Sequence, residues 1–330
     1  MSENYIRQCA VTFAYIGKTY DANEGSIRVR FKIKQSTLNQ PNTATILLTN
    51  QNPGLAKALC DERAEGSNVS ISAGYVGNMG MIFQGDLRKA IYGRENPTDT
   101  MTTILASDGG QAQTYAQVNK TLPPGSTPND IVNTSIAALK QFGVGLGFVG
   151  PSVQLSTPVY PRSIALFGMA WKLMNDVAKS KGATASIQNA LVHLVTPNDA
   201  IPGGAFELNT LTGLIGMPTL ETGGLYARSL INPQMKFHSL VHIDEALVQG
   251  MLPQLLSDGS IDPDYLPNAI NMAAIAGDGI YRIYRIDVDA DTRGTPWYQD
   301  LAMNSLAQSV NAPTPAEVFS SGSTLGQGPP

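Results

Sequence analysis

The sequence predicts a mainly β protein with α/β insertion, an α+β chain, and three observations lead there. Apolar and polar residues alternate along short runs near both ends, as Ile27, Val29, Phe31 and Ile33 do against Arg28, Arg30, Lys32 and Lys34. Helical spacing is confined to the middle, beyond Gln111. Only 15% of the 330 residues are charged, while 32 are Gly and 21 are Pro, a composition that suits short strands and many turns. A chain of this length exceeds what one core usually organises, so more than one domain is expected.

Residues 1 to 110 read as all-β. Cys9 sits in an apolar first strand as a buried, inert thiol. The clearest strand is Ser26 to Lys34, whose four cations share one face. That strip reads as a docking surface for a partner or DNA, or as a solvated face that guards against aggregation. No aromatic residue interleaves to stack on bases. Thr43 to Thr49 is another strand, and Asn52-Pro53-Gly54 turns it into a short helix, Leu55 to Arg63. Val69 to Tyr75 and Met81 to Leu87 form a hairpin across Gly77-Asn78, followed by a strand from Asp99 to Ala106.

In residues 111 to 150, Pro123-Pro124-Gly125 is a loop and Thr127 caps a helix, Pro128 to Gln141. Pro128 takes its first position, Asp130 lies near its positive end, and Ile131, Ile136 and Leu139 face a core. Gly143 to Gly150 lacks the Lys-Ser/Thr ending of a phosphate loop and reads as a flexible connection. In residues 151 to 204, a helix from Ser163 to Ser180 buries Phe167, Trp171, Met174 and Val177 or Ala178, and Gly182 ends it. A hairpin from Ala185 to Val195 turns at Asn189, with Ile187, Leu191 and His193 on its faces.

Residues 205 to 310 return to β character. Thr212 to Leu220 reads as a linker, and Tyr226 onward as a strand stopped by Asn232-Pro233, since proline donates no ladder hydrogen bond. Ser239 to Ile243, Gly279 to Asp287 and Pro296 to Ala302 are further strands. The long insert Leu247 to Gly277 holds a helical run near Asn268 to Ala276. The last segment, 311 to 330, is rich in Pro, Gly and Ser and reads as a flexible tail or a partner-binding arm. A faint repeat sets Val69 to Ile71, Ile82-Phe83 and Asp99 to Ala106 beside Val241 to Ile243, Tyr281-Arg282 and Trp297 to Met303.

Several of these motifs, in this order, resemble the tail-hub proteins of contractile-tailed bacteriophage baseplates, a family related to the base of type VI secretion spike proteins. They are the strand ending Ala73-Gly74-Tyr75, the return through Phe83-Gln84-Gly85-Asp86, and the third strand opening at Asp99-Thr100. Further along come Thr212 to Pro218, Leu230 to Pro233, and Asp291 to Gly294 ahead of Trp297-Tyr298. The chain departs from the pattern at Ala290, where the family has Gly, and in its long insert. The resemblance implies two tube-type β-barrel domains, 1–110 and 205–310, with small α/β modules at 111–150 and 151–204 and a tail at 311–330. Gln117 to Leu139 is similar to peptidoglycan-binding LysM units, although an ordinary βα unit accounts for it as well, and no glycan binding is assigned.

What the resemblance implies about function is structural. The chain would form a homotrimeric ring joining the tail tube to the central spike, with tail-tube, spike, tape-measure and other baseplate proteins as partners. DNA would pass transiently and without specificity through the ring, in a virion assembled in the host cytoplasm. The neighbouring alternative is the hub of a pyocin-like or type VI secretion-like contractile particle. The enzymatic alternative is a tail-associated peptidoglycan hydrolase or peptidase.

Chemistry is sparse. A net charge of −4 offers nothing global to a polyanion. Cys9 and Cys60 give no disulfide framework and no zinc spacing. The N-terminus lacks a signal-peptide pattern and no run approaches the roughly 20 apolar residues of a membrane span, which predicts folding in a cytoplasm. Asp287, Asp289 and Asp291 alternate like a calcium loop, but Thr292 and Tyr298 stand where its glycine and glutamate belong. His238 and His242 lack a metalloprotease glutamate, His193 is distant, and Glu62 and Glu65 suit a solvated helix. The expectation is therefore no enzyme, catalytic residue, cofactor or metal. In the hub resemblance, whose adjacent barrels meet edge to edge around the ring, the opposite charges of Arg28, Arg30, Lys32 and Lys34 and of Asp287, Asp289 and Asp291 put them at an interface, approaching each other or flanking it, where they would set register more than strength.

Overall fold

The computed structural model describes residues 6–21, 27–36, 41–221, 224–244 and 279–305. The insert 247–277 and the tail 311–330 lie outside the described residues. The first β region holds β1 (Arg7–Phe13), β2 (Lys18–Asp21), β3 (Arg28–Ser36), β4 (Thr43–Thr49), helix α1 (Pro53–Leu59), β5 (Asn68–Tyr75), β6 (Asn78–Arg94) and β7 (Thr100–Ser107). The insertion holds α2 (Gly110–Tyr115), β8 (Gln117–Leu122), α3 (Pro128–Leu139), β9 (Gly145–Val149), β10 (Ile164–Met169), α4 (Ala170–Ser180), β11 (Thr184–Gln188) and β12 (Leu191–Val195). The second β region holds β13 (Phe206–Glu207), β14 (Leu214–Glu221), β15 (Gly224–Leu230), β16 (Leu240–His242), β17 (Ile280–Asp291) and β18 (Trp297–Ser305).

The strands of both β regions form one 13-stranded sheet, ordered β14-β15-β18-β17-β3-β4-β7-β6-β5-β1-β2, with β13 and β16 beside β17. The alternation read from β3 places Val29, Phe31 and Ile33 in the core. Burying a side chain such as Phe31 stabilises by about 3 kcal/mol. The same core takes in Ile46, Ile71, Phe83, Ile283, Val288 and Trp297, so residues from both regions share it. The sheet curls: Gln35 on β3 donates to the Ile82 carbonyl of β6, two strands beyond its neighbour β4.

The register reveals a structural repeat. In the first region Val69 pairs with Gly85, and the β6-β7 ladder then shifts between Leu87 and Lys89. In the second, Val241 pairs with Tyr281 and the β17-β18 ladder shifts between Ile283 and Arg285. The meander β5-β6-β7 therefore matches β16-β17-β18, and the preceding hairpin β3-β4 matches β14-β15. Val69 falls on Val241, as the sequence repeat has it, but Tyr281 falls on Gly85, three residues along from Ile82.

The insertion packs its own core, with Val132, Leu139, Trp171, Met174, Ile187 and Leu194 buried together from both of its segments. Several sequence expectations are corrected in this part of the chain and beside it. The run Ser163 to Ser180 is not one helix: β10 precedes α4, and Phe167, expected in the core, is 81% exposed. Gly168 at φ +131° breaks the run, and strand alternation turns Leu166 inward and Phe167 outward. The glycine-rich stretch is no flexible connection but β9, parallel to β12. Gly147 packs so closely there that a Cβ would lie 2.9 Å from His193 Nε2.

Three smaller corrections concern turns and an edge. The β5-β6 turn is Val76-Gly77, because Asn78 already pairs with Tyr75, and Gly77 takes the positive φ of +84° that a type II turn requires. The helix expected over Leu55 to Arg63 is α1 followed by a 3-10 turn at Glu62–Ala64. The linker Thr212 to Leu220 is largely β14, whose Pro218 is tolerated because β14 closes one end of the sheet.

Candidate assembly interface

The charged residues picked from the sequence meet at one seam. Along β17, Ile280 to Arg282 pair with β16, and the stretch from Arg285 to Asp291 pairs with β3 in antiparallel register. Asp287 lies opposite Lys34, Asp289 opposite Lys32 and Asp291 opposite Arg30. The pairing is within one chain. Lys32 reaches Asp289 at 2.8 Å, and Arg28 grips Asp291 with both its Nε, at 3.0 Å, and its Nη2. Arg30 turns away to Glu95 at 2.6 Å, and Asp287 takes Arg285 of its own strand at 2.5 Å. Lys34 makes no ion pair among the described residues.

The seam is closed at one end by the turn after β17. Asp291 also accepts from the Arg293 N–H, and Thr292 exchanges hydrogen bonds with the Val29 backbone. Arg7 of β1 donates to the carbonyls of Asp291 and Gly294 and stands 5.5 Å from the Trp297 ring centre. Burial alone would raise the Asp291 carboxyl, but the hydrogen bonds from Arg28 and Arg293 hold it below the usual carboxylate range. Hydrogen bonding to Asp289 likewise raises Lys32. Arg7, Glu95 and Arg285 escaped sequence reasoning because their partners are set by the fold and not by spacing along the chain.

A second polar cluster docks the insertion on the first β region. Asp108, at the end of β7, accepts from the Asn189 and Ala190 N–H groups of the β11-β12 turn, at 2.6 and 2.9 Å. Both turn residues have positive φ, at +53° and +62°, and expose those donors together. Asn42 donates to the Ile187 carbonyl and to Gln188, and Asn189 accepts from the Gln84 N–H. Burial pushes the Asp108 carboxyl up to about 7, against the pull of those hydrogen bonds.

The histidines are dispersed. His238 is buried, its ring 4.5 Å from Phe237, and burial with Arg282 nearby lowers its pKa well below the ordinary value. Its backbone ties Ile283 to Ile201, while Arg282 donates to the carbonyls of Thr196 and Asp199, so the group fastens the insertion's exit to β17. Burial also lowers His193, to about 4. His242 is exposed. Among the described residues no three His, Cys, Asp or Glu side chains cluster as metal ligands, and no helix is long and apolar enough to cross a membrane.

No protein-family model matches the chain, and no curated protein matches it in sequence. Solved structures do match. The 43 kDa tail protein of prophage MuSo2 from Shewanella oneidensis aligns at a TM-score of 0.56 and 10% identity, over 93% of this chain and 99% of that one. The fold is that of phage tail proteins. A tail protein from Neisseria meningitidis has the same tail-protein fold, at 0.54 and 9% identity, over 93% and 99% of the two chains. The E. coli c3393 protein aligns at 0.52 and 10% identity over 92% of this chain and 79% of its own. That protein is described as a component of the type VI secretion system with structural similarity to T4 bacteriophage tail proteins gp27 and gp5.

Proposed function

We propose that the chain is a structural, non-enzymatic subunit of a phage tail baseplate. As a hub, three copies form a ring that joins the tail tube to the central spike and lines the channel for the tape-measure protein and DNA. The observation that carries this reading is the β3-β17 seam, which joins two repeated β units head to tail in one sheet that, among the described residues, ends in β14 at one edge and β2 at the other. A contact between unlike surfaces of repeated units propagates into a closed ring when its rotation closes. The tail-protein fold supports the setting, the virion. The likeness to c3393 favours a second setting, the hub of a type VI secretion-like particle, in which the same geometry serves.

The barrel pair, the domain limits and the charged interface keep their place in this proposal: each unit would supply one barrel wall, with the ionic seam fixing the angle between them. The test mixes the purified chain with the tube and spike proteins of the same phage and weighs the products by mass photometry. Three copies bound to spike and tube is the expected species. A monomer that ignores both partners would refute the reading.

A further inference from the structure

The insertion is fastened to the β regions at both ends of one hairpin. β11 and β12 pair from Gln188 opposite Leu191, beside the turn, to Thr184 opposite Val195 at the open end. Asp108 and Asn42 hold the turn end. The open end runs into the segment Thr196 to Ile201, and this exit is held by β17 and by His238, just before β16.

The exit attachment has no place for added positive charge. His238 is 3% exposed and takes a φ of +62°, an uncommon conformation for a residue with a Cβ. Its N–H donates to the Ile283 carbonyl and its own carbonyl accepts from the Ile201 N–H. Arg282, 7% exposed, donates through Nη1 to the carbonyls of Thr196 and Asp199 at 2.9 and 2.8 Å. Neither His238 Nδ1 nor Arg282 Nε has a partner among the described residues. The titratable groups that face His238 there are Arg282 on β17, His193 on β12 and Asp199 in the exit segment. The Asp199 carboxylate is already engaged by the hydroxyls of Ser152 and Thr196, at 2.7 and 2.8 Å. His193 accepts from the Phe148 N–H through Nδ1, which a neutral ring can do and an imidazolium cannot. A proton on His238 would therefore be buried beside a guanidinium, with no carboxylate in contact to balance it, and such a charge is costly to desolvate.

We propose that the exit attachment is an acid-sensitive latch: when His238 takes up a proton from solvent beside Arg282, Thr196 to Ile201 leave β17 while the β11-β12 turn stays on Asp108, and the insertion pivots about its turn end. The two attachments answer acid in opposite senses. Burial and Arg282 hold His238 well below its ordinary 6.5, so opening that exposes the ring takes up a proton and becomes easier as pH falls below 6.5. Asp108, raised to about 7, keeps its proton in the folded state, so the turn end is held more firmly over the same fall.

Hydrogen exchange on the full chain between pH 6.5 and pH 5, with each amide corrected for its intrinsic rate, separates the two ends. Opening at the Ile201 amide should rise by about tenfold per pH unit, the signature of one proton taken up. The Asn189 and Ala190 amides, on Asp108, should not accelerate, and the β3 amides should stay protected. His238→Asn removes the titrating ring and suits the left-handed backbone, which Asn tolerates. In that variant the rise at Ile201 should shrink by about tenfold per pH unit. The latch is overturned if Ile201 shows no rise in the wild type, if Asn189 and Ala190 open along with it, or if His238→Asn keeps the full slope. A slope removed by His193→Gln and not by His238→Asn also overturns it, by moving the trigger to β12. Should His238→Asn fail to fold, the contrast between the two ends in the wild type decides alone.

Discussion

Asp108 places its carboxyl where the insertion hairpin meets the first β region, and its protonation is coupled to stability. Its folded pKa, about 7, lies above its ordinary 3.8, so the folded state holds the proton more tightly than the unfolded chain. That contribution is fully present below pH 3.8 and is lost as pH rises towards 7. His193, lowered from 6.5 to about 4, has the opposite slope between those values. Wild type alone therefore mixes the two. Urea melts of wild type against Asp108→Asn should show the wild type losing stability relative to the variant as pH climbs from 4 to 7, by at most about 1.4 kcal/mol per pH unit. A constant difference would show that Asp108 titrates normally. The Arg28–Asp291 pair makes a second residue-scale case. Arg28→Glu should cost about 2 kcal/mol, a modest figure because solvent screens the Arg28 end, and Asp291→Arg in the same chain should recover part of it. Recovery is partial because Asp291 also holds the Arg293 N–H. Opposite charge made Asp291 legible in the sequence. Asp108 and Asn42 were not, since their partners are backbone groups of a distant turn.

At the scale of elements, what the sequence displayed was alternation, and what it hid was packing environment. β3, β4 and β5 were legible because one face is buried and the other wet, which leaves a period of two. β10 was not: Ile164 to Met169 runs directly into α4, and its large residues fit a helical stripe until Gly168 separates them. β14 and β9 were hidden by glycine and proline, which mark loops in general but here mark an edge strand and a close backbone approach. The correction at β10 is testable. Leu166→Ala should destabilise the protein by about 2–5 kcal/mol, since it empties a core site, while Phe167→Ser should leave the melting midpoint nearly unchanged. Equal losses from both changes would restore the single-helix reading of Ser163 to Ser180.

At the scale of the molecule, the repeat, two matching strand orders with matching register shifts, was faint in sequence because each unit keeps only the pattern of burial. The equivalent positions Lys32 and Thr219, or Asp289 and Gly93, share no chemistry. The most direct measurement is electron microscopy of the purified chain with its spike protein. Class averages should show a closed ring with a central opening and two β lobes for each of three copies, six in all by the two-unit reading. Open filaments, or single chains bound to the spike with no enclosed channel, would contradict it.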